Sequence, residues 1–342
     1  MRLLRSLTAL AALALLLPVG LVNAQDKQIE LKLAHWVPPS HPLQKAMEDW
    51  GSSLSKATNG SITFKVYPAQ QLGKAFDHYD MARDGIADVT YINPGYQPGR
   101  FPIIGLGELP FLMADAKGGS QALDAWYRQY AEKEMKDVKF CLGFVHDPGS
   151  FHSRAKKIMV PADISGMKIR PAHATMAAFV TKLGGTNVQS SAPEVRDILE
   201  KGVADAVTFP WGSVPLFGID KVTKYHMEVP LYATTFAWVI NKGVYASMSA
   251  AQKKAVDEHC TNDWALRVAA PWADFEHEGV KKLKADPAHE VYPISPAQVA
   301  EWRKAAEPLQ AAWADNVRKA GGDPDAIFQA LKTALAKFNA AY

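Results

Sequence analysis

The sequence predicts an α/β protein built as two lobes. Three observations carry that expectation. Short β-rich runs alternate with helix-period runs from Ile29 to Trp211. One block occurs twice: Ala82 to Thr90 (ARDGIADVT) parallels Leu199 to Val207 (LEKGVADAV), each a helix end, a Gly stop, an Ala-Asp corner and a strand. The length of 342 residues suffices for two domains. Strand–helix–strand alternation implies largely parallel sheets.

The elements follow in order. Ile29 to Ala34 alternates as a first strand, and the proline-rich loop His35 to Pro42 follows. Leu43 to Thr58 places Leu43, Met47, Trp50 and Leu54 on one helical face, and Asn59-Gly60 closes it. Ser61 to Tyr67 is the second strand, Lys74 to Asp84 a helix, and Val89 to Ile92 the third strand. Phe101 to Phe111 reads as an extended loop, Gln121 to Lys136 as a helix, and Val138 to Val145 as a strand. Pro148-Gly149-Ser150 begins the passage to the second lobe. There Met167 to Ile169 is a short strand delivering Arg170 to its end, where Pro171 stops it. Helices at Ala174 to Leu183 and Ala192 to Lys201 flank an extended Asn187 to Gln189, and Val203 to Thr208 ends in Phe209-Pro210-Trp211. Tyr225 to Val229, Thr234 to Asn241 and Glu290 to Ile294 are the remaining strands. Ser249 and Gln252 have capping-box spacing and open a helix running to about Ala285, kinked at Pro271, that lies along both lobes as a spine. Pro296 to Lys319 and Pro324 to Phe338 are amphipathic helices.

Met1 to Ala24 has Arg2 and Arg5 at its start, an apolar run at Leu7 to Leu17 and small residues at its end, the signature of a secretory leader. The run is too short to span a bilayer comfortably. Net charge is +3, and loss of Arg2 and Arg5 leaves 36 basic against 35 acidic residues, so nothing favours nucleic acid. Export permits a disulfide between Cys141 and Cys260, although two buried free thiols satisfy the sequence equally well.

Arg170, at a strand end and followed by Pro171 and an apolar helix, suits a bidentate grip on a carboxylate. In open α/β sheets ligands bind beyond the carboxyl ends of the strands, which is where Arg170 and Phe209 to Trp211 fall. Trp36, Tyr91, Tyr96, Phe151, Phe209, Trp211 and Trp238 supply an apolar cleft, with lobe-interface packing as the plainer role for each alone. His35, His41, His146, His152 and His173 sit in loops or at strand ends without any zinc-ligand spacing, so no metal site is expected. No nucleophile elbow, dinucleotide fingerprint or phosphate loop occurs, and no cofactor is expected.

Leu33-Ala34-His35-Trp36, Tyr67-Pro68-Ala69-Gln70-Gln71-Leu72-Gly73, Arg83 to Asp88, Leu109-Pro110-Phe111 and Gly166-Met167-Lys168-Ile169-Arg170 occur in the order and spacing of one family. Over nearly the whole chain after the leader, the sequence resembles the solute receptors of tripartite ATP-independent periplasmic (TRAP) transporters, the dicarboxylate-binding-protein family. The resemblance implies a two-lobed periplasmic-binding-protein fold (type II-like), with hinge strands and a long spanning helix joining the lobes. The expected division is residues 25–149 plus 238–275 in one lobe and 150–237 plus 276–342 in the other. It implies Arg170 as carboxylate clamp and Asn93 and Tyr96 as polar contacts from the first lobe. His35, Trp36, Phe151, His173, Phe209, Trp211 and Trp238 complete the expected ligand-binding set. Phe209 stands where many members carry Asn, and the second basic residue that some sugar-acid receptors have near Ser150 is missing. These departures put polyhydroxylated ligands in doubt. The aromatic loops, with no second Arg or Lys evident at the cleft, point to a monocarboxylate with an aromatic or apolar tail, including 2-oxo and 2-hydroxy acids. Implied partners are that small acid and integral-membrane permease subunits, for a monomer in the periplasm that catalyses nothing. The competing expectation is a secreted lyase or hydrolase using His35 or His173 as base.

Overall fold

The computed structural model describes residues 26–342, so the Met1–Ala24 leader lies outside the described residues. The first stretch comprises β1 (Ile29–Ala34), α1 (Pro42–Ala57), β2 (Ile62–Tyr67), α2 (His78–Arg83), β3 (Val89–Ile92), α3 (Ala116–Glu134) and β4 (Val138–Val145). Next come β5 (Ser150–Ser153), β6 (Lys168–Arg170), α4 (Ala174–Lys182), β7 (Thr186–Asn187), α5 (Val195–Glu200), β8 (Ala206–Phe209), α6 (Ser213–Leu216) and β9 (Tyr225–Met227). The chain ends with β10 (Thr235–Asn241), α7 (Lys242–Ser247), α8 (Ala250–His259), α9 (Asn262–Ala285), β11 (Glu290–Tyr292), α10 (Pro296–Lys319) and α11 (Pro324–Lys337).

Two sheets form, in strand orders β2-β1-β3-β10-β4 and β11-β9-β5-β8-β6-β7. They are mixed rather than largely parallel. β1 runs parallel to β2 and β3, and β6 to β7 and β8, but β10 and β5 run antiparallel to both of their neighbours. Both reversed strands are the ones by which the chain enters a lobe from the other. Neither arrives over a crossover helix, so neither is turned back into the parallel direction.

The repeated block is repeated in its atoms. The Lys32 backbone N–H donates to the Asp88 carboxylate at 2.7 Å, and the Lys168 N–H donates to Asp205 at 2.8 Å. Each lysine ammonium also reaches back over the turn, Lys32 to the carbonyls of Gly85 and Ile86 and Lys168 to that of Gly202. Gly85 and Gly202 have φ of 73° and 68°, the left-handed region a side chain resists. The preceding helix in each lobe is a 3-10 turn followed by six α-helical residues, shorter than the single helix expected from the pattern.

Three other expectations change. The stretch from Ser249 to Ala285 is two helices, not one: α8 ends at Cys260, and Thr261 caps α9, its side chain accepting from the Trp264 N–H. Pro271 lies inside a continuous α9, which packs on α1, α3 and β4 of the first lobe and on α6 and β11 of the second. The segment expected as an extended loop before Phe111 contains a 3-10 turn over Ile104–Glu108. The last helix does not stay with the second lobe: α11 packs on α3, the Trp126 indole donates to the Ile327 carbonyl at 3.1 Å, and Met113 bridges Ala341. An amphipathic stripe shows that a helix is covered, not which lobe covers it.

Cys141 and Cys260 form a disulfide that ties β4 to the end of α8. Beside it the buried Trp50 crosses Trp238 edge-to-face at 6.1 Å, and its indole donates to the His259 carbonyl at 2.8 Å. Trp302 of α10 anchors the second core against Phe151 and Phe179 at 5.5 and 5.9 Å. Among the described residues, no helix is long and apolar enough to cross a membrane.

Candidate ligand-binding site

β6 and β8 pair in parallel with Arg170 opposite Val207, so their ends open onto one edge. The Arg170 side chain is buried there, 1% exposed. Its Nε donates to the Ser190 carbonyl at 2.9 Å, and Nη2 donates to the Tyr96 hydroxyl at 3.1 Å. The guanidinium carbon lies 5.7 Å from the Phe209 ring centroid. A guanidinium has five N–H donors. Three therefore remain, on the two terminal nitrogens, with no partner among the described residues. They form the planar fork that matches a carboxylate.

Tyr96 and Asn93 reach across from the loop after β3. The Tyr96 hydroxyl accepts from both Arg170 and the Ala192 N–H, the latter at 2.9 Å, which leaves its own hydrogen uncommitted. Asn93 Nδ2 donates to the Ala172 carbonyl at 3.4 Å, while its buried Oδ1 has no partner. An unpaired buried acceptor is costly, so this oxygen is suited to a donor brought by a ligand.

The rest of the cavity is walled by rings. Trp36, on the loop after β1, stacks on Tyr91 at 4.7 Å. Phe236 of β10 and Trp272 of α9 lie 5.3 Å apart, and Phe217 faces in from the end of α6. Together with Val37, His41, His146, Thr234, Phe209, Pro210 and Ser213 they line one cavity. Arg170 is the sole Arg or Lys among the lining residues.

Two buried histidines also line the cavity. His146 Nδ1 lies 2.6 Å from the Asp147 carbonyl, which can only accept, so Nδ1 carries the hydrogen and Nε2 accepts from Thr234 Oγ1 at 2.9 Å. His41 caps α1 through Nδ1, which accepts from the Leu43 N–H at 3.1 Å. Burial pushes both imidazoles down to about 3, so both are neutral. Glu276 of α9 accepts from the N–H groups of Gly212 and Ser213, from Ser213 Oγ at 2.6 Å and from the Trp272 indole. Loss of solvation on burial raises its carboxyl to about 7, against the pull of those four donors.

Of the residues singled out in the sequence, Trp36, Asn93, Tyr96, Arg170 and Phe209 come together in this cavity. His35, Phe151, His173, Trp211 and Trp238 do not line it. Trp238 lies against Trp50 and Phe144, and Phe151 against Trp302. Trp211 stands edge-on to His152 at 4.9 Å, at one end of a buried row in which His152, His226 and His289 are joined by contacts of 2.8 and 3.0 Å. His35 is held by Gln44. His173 caps α4 and meets the buried Glu108 at 3.1 Å. Glu108, from the unexpected 3-10 turn, also accepts from Thr235 of the first lobe and Thr175 of the second, so it fastens the lobes together. Sequence reasoning missed His41, His146, Phe236 and Trp272 as lining residues. A signal existed for two of them: His41 precedes the helix-opening Pro42, and Phe236 shares a strand face with Trp238. Among the described residues, no cluster of His, Cys, Asp or Glu could hold a metal ion.

Residues 33–316 match the family described as bacterial extracellular solute-binding protein, family 7. A marine metagenome TRAP solute-binding protein specific for aromatic acid ligands, solved with metahydroxyphenylacetate, superposes with a TM-score of 0.85 at 32% identity, covering 91% of this chain and 99% of that one. A TRAP solute-binding protein from Rhodoferax ferrireducens, with copurified benzoate, gives a TM-score of 0.85 at 29% identity over 91% and 98% of the two chains. One from Bordetella bronchiseptica, with bound (R)- and (S)-mandelate, gives 0.85 at 28% identity over 90% and 99%. The two-lobed fold, the extent of the family match and the first of these likenesses place this chain in that family: it is a TRAP transporter solute-binding protein.

Proposed function

We propose that this protein is a periplasmic receptor that closes on a monocarboxylate with an aromatic or similarly bulky apolar body and delivers it to a TRAP permease. The observation that carries the reading is the single buried guanidinium of Arg170, set in a cavity otherwise walled by Trp36, Phe209, Phe217, Phe236 and Trp272. One carboxylate is accommodated by the fork. A second would be buried without a cation, which costs several kcal/mol. The rings favour an apolar body, with about 0.5–1.5 kcal/mol for each good aromatic contact beyond area burial. Asn93 Oδ1, unpartnered beside Ala172, suits the hydroxyl of a 2-hydroxy acid, and the uncommitted Tyr96 hydrogen suits the carboxylate or a 2-oxo group. Aromatic and mandelate-type acids bound by similar receptors support the same chemistry. The Met1–Ala24 leader provides export, and the receptor works as a monomer without chemistry of its own. His35 and His173, the bases that an enzyme would need, contact Gln44 and Glu108 and do not line the cavity.

The test is a thermal-shift screen followed by calorimetry, with benzoate, mandelate and benzoylformate set against succinate and glucuronate. The aromatic acids should bind and the other two should not. A clear preference for succinate or glucuronate overturns the reading.

A further inference from the structure

We infer that His41 is a specificity-determining residue that selects, among aromatic monocarboxylates, those carrying a ring oxygen at the end remote from the carboxylate. The inference rests on the function proposed above and names a substituent of its ligand. His41 is 2% exposed, yet it lines the cavity. Its tautomer is fixed by the fold: Nδ1 accepts the Leu43 N–H at the start of α1, so the hydrogen of the neutral ring sits on Nε2. That N–H has no hydrogen-bond partner among the described residues, and Nε2 is not fully enclosed, so it is left to water or a ligand.

A path of neighbouring rings along the cavity lining joins Arg170 to His41. Tyr96, which touches Arg170, lies 5.9 Å from Trp36; Trp36 lies 6.5 Å from Phe236, Phe236 5.3 Å from Trp272, and Trp272 4.9 Å from His41. An aromatic wall thus runs from the anchor to the imidazole. A ligand whose carboxylate sits on the fork and whose ring lies along that wall presents its far edge to His41 Nε2. The same end holds complementary acceptors. Thr234 Oγ1 donates to His146, and Ser213 Oγ donates to Glu276, so both hydroxyl oxygens keep lone pairs for the cavity. A phenolic hydroxyl there accepts from His41 and donates to one of these oxygens. An unsubstituted or alkyl edge leaves the Nε2 hydrogen unpaired.

His41→Asn separates the two roles of the side chain. Its Oδ1 takes the place of Nδ1, and Asn is a favoured N-cap, so α1 keeps its cap while the imidazole Nε2–H is lost; the amide N–H groups that replace it sit nearer the backbone, short of the Nε2 position. Calorimetry at pH 7.5 would compare 3-hydroxybenzoate, 4-hydroxybenzoate, 3-methylbenzoate and benzoate on the wild-type chain and this variant. The readout is the ratio of the Kd for 3-methylbenzoate to that for the better hydroxybenzoate, so a loss common to all acids cancels. The ligand-free melting temperature reports that the variant folds. One net hydrogen bond corresponds to a wild-type ratio of about three to ten. The ratio should fall at least about threefold in His41→Asn on the same basis. Benzoate binding with the same ratio in both proteins overturns this inference and leaves the proposed function standing. Failure of every benzoate to bind the wild-type chain overturns both.

Discussion

Replacing Arg170 by Lys keeps the charge and removes the fork. In the wild-type chain Nε holds the Ser190 carbonyl and one Nη2 hydrogen holds the Tyr96 hydroxyl, so the ligand meets a guanidinium already fixed in its plane. A lysine ammonium is a point charge on a flexible stem and cannot keep the Ser190 contact while presenting two parallel donors. The carboxylate then loses one charge-assisted hydrogen bond, about 1.5–3 kcal/mol, and the Ser190 carbonyl adds a smaller penalty for going unpaired. The sum is about 2–4 kcal/mol, or about 30- to 700-fold in Kd. Arg170→Met removes the cation altogether and strands the ligand's charge, so it should abolish measurable binding. Because a buried pair is screened little by salt, the wild-type affinity should hardly change between low and high ionic strength. Titration calorimetry with the best acid from the carboxylate screen measures all three. A Kd for Arg170→Lys within threefold of wild type would refute the assignment of the fork as anchor.

Three further outcomes follow from the packing and the buried charges. His41 and His146 are lowered to about 3, His78 and His152 to about 4, and His226 to about 2, all mainly by burial, so each is neutral when folded and takes up a proton on unfolding as pH falls below about 6.5. His35 is lowered as well, while Glu276, raised to about 7, and the Glu134 and Asp147 carboxyls, also raised by burial, work in the opposite sense. The histidines outweigh the carboxyls in number, so unfolding takes up protons on balance, resistance to urea should fall as pH drops from 6.5 to 5, and a flat or rising profile would contradict the buried neutral imidazoles. Gly279→Ala should lower the melting temperature, although in an exposed helix it would add up to about 1 kcal/mol, because the new Cβ would lie 2.2 Å from Gly212 Cα and 2.4 Å from its nitrogen. Replacing Cys141 and Cys260 together by Ala opens a closure of 119 residues and should cost about 2–5 kcal/mol in guanidinium unfolding, with a loss under 1 kcal/mol counting against a structural role for the disulfide.

What could be read from the sequence divides along physical lines. Arg170, Asn93 and Tyr96 stand just past the ends of short strands, and in an α/β sheet that position fixes which edge a residue occupies. Phe209 follows for the same reason. Trp238 and Phe236 show where the method stops. They lie two residues apart on one face of β10, and both rings reach Phe144, at 6.1 and 5.7 Å. A displacement of about 7 Å along a strand separates the cavity from the core, and alternation is blind to it. Phe151 fails differently. It pairs with Thr208, one residue before Phe209, so it takes the other face of the sheet and packs on Trp302. Trp272 was hidden because α9 has apolar residues on more than one side, and only the docking of both lobes decides which of them meets the ligand. Thr261-Asn262-Asp263 carries cap chemistry that marks the start of α9, but an unbroken periodicity across Cys260 masks it.

Closure and recognition share residues, and this makes closure conditional. Asn93 and Tyr96 from the first lobe engage Ala172, Arg170 and Ala192 of the second, so bringing the lobes together is what buries the guanidinium. Closing without a ligand would strip water from a cation whose three remaining donors have no acceptor, and a buried unpaired charge is disfavoured by several kcal/mol. Glu108 offers a counterweight through Thr235 and Thr175, but hydrogen bonds exchanged with water contribute only about 1 kcal/mol each. The carboxylate of a ligand supplies the missing acceptor, and it does so only in the closed arrangement. With Arg170 as the proposed anchor, the differential affinity that shifts a two-state equilibrium resides in the same fork that takes the carboxylate. α9 carries that shift to the other wall. Trp272, Glu276 and Gly279 lie on one helical face, as a cavity ring, a carboxylate holding Gly212 and Ser213, and a bare backbone against Gly212. A helix that lines the cavity and holds the loop after β8 with the same face cannot change its contact with one without changing its contact with the other.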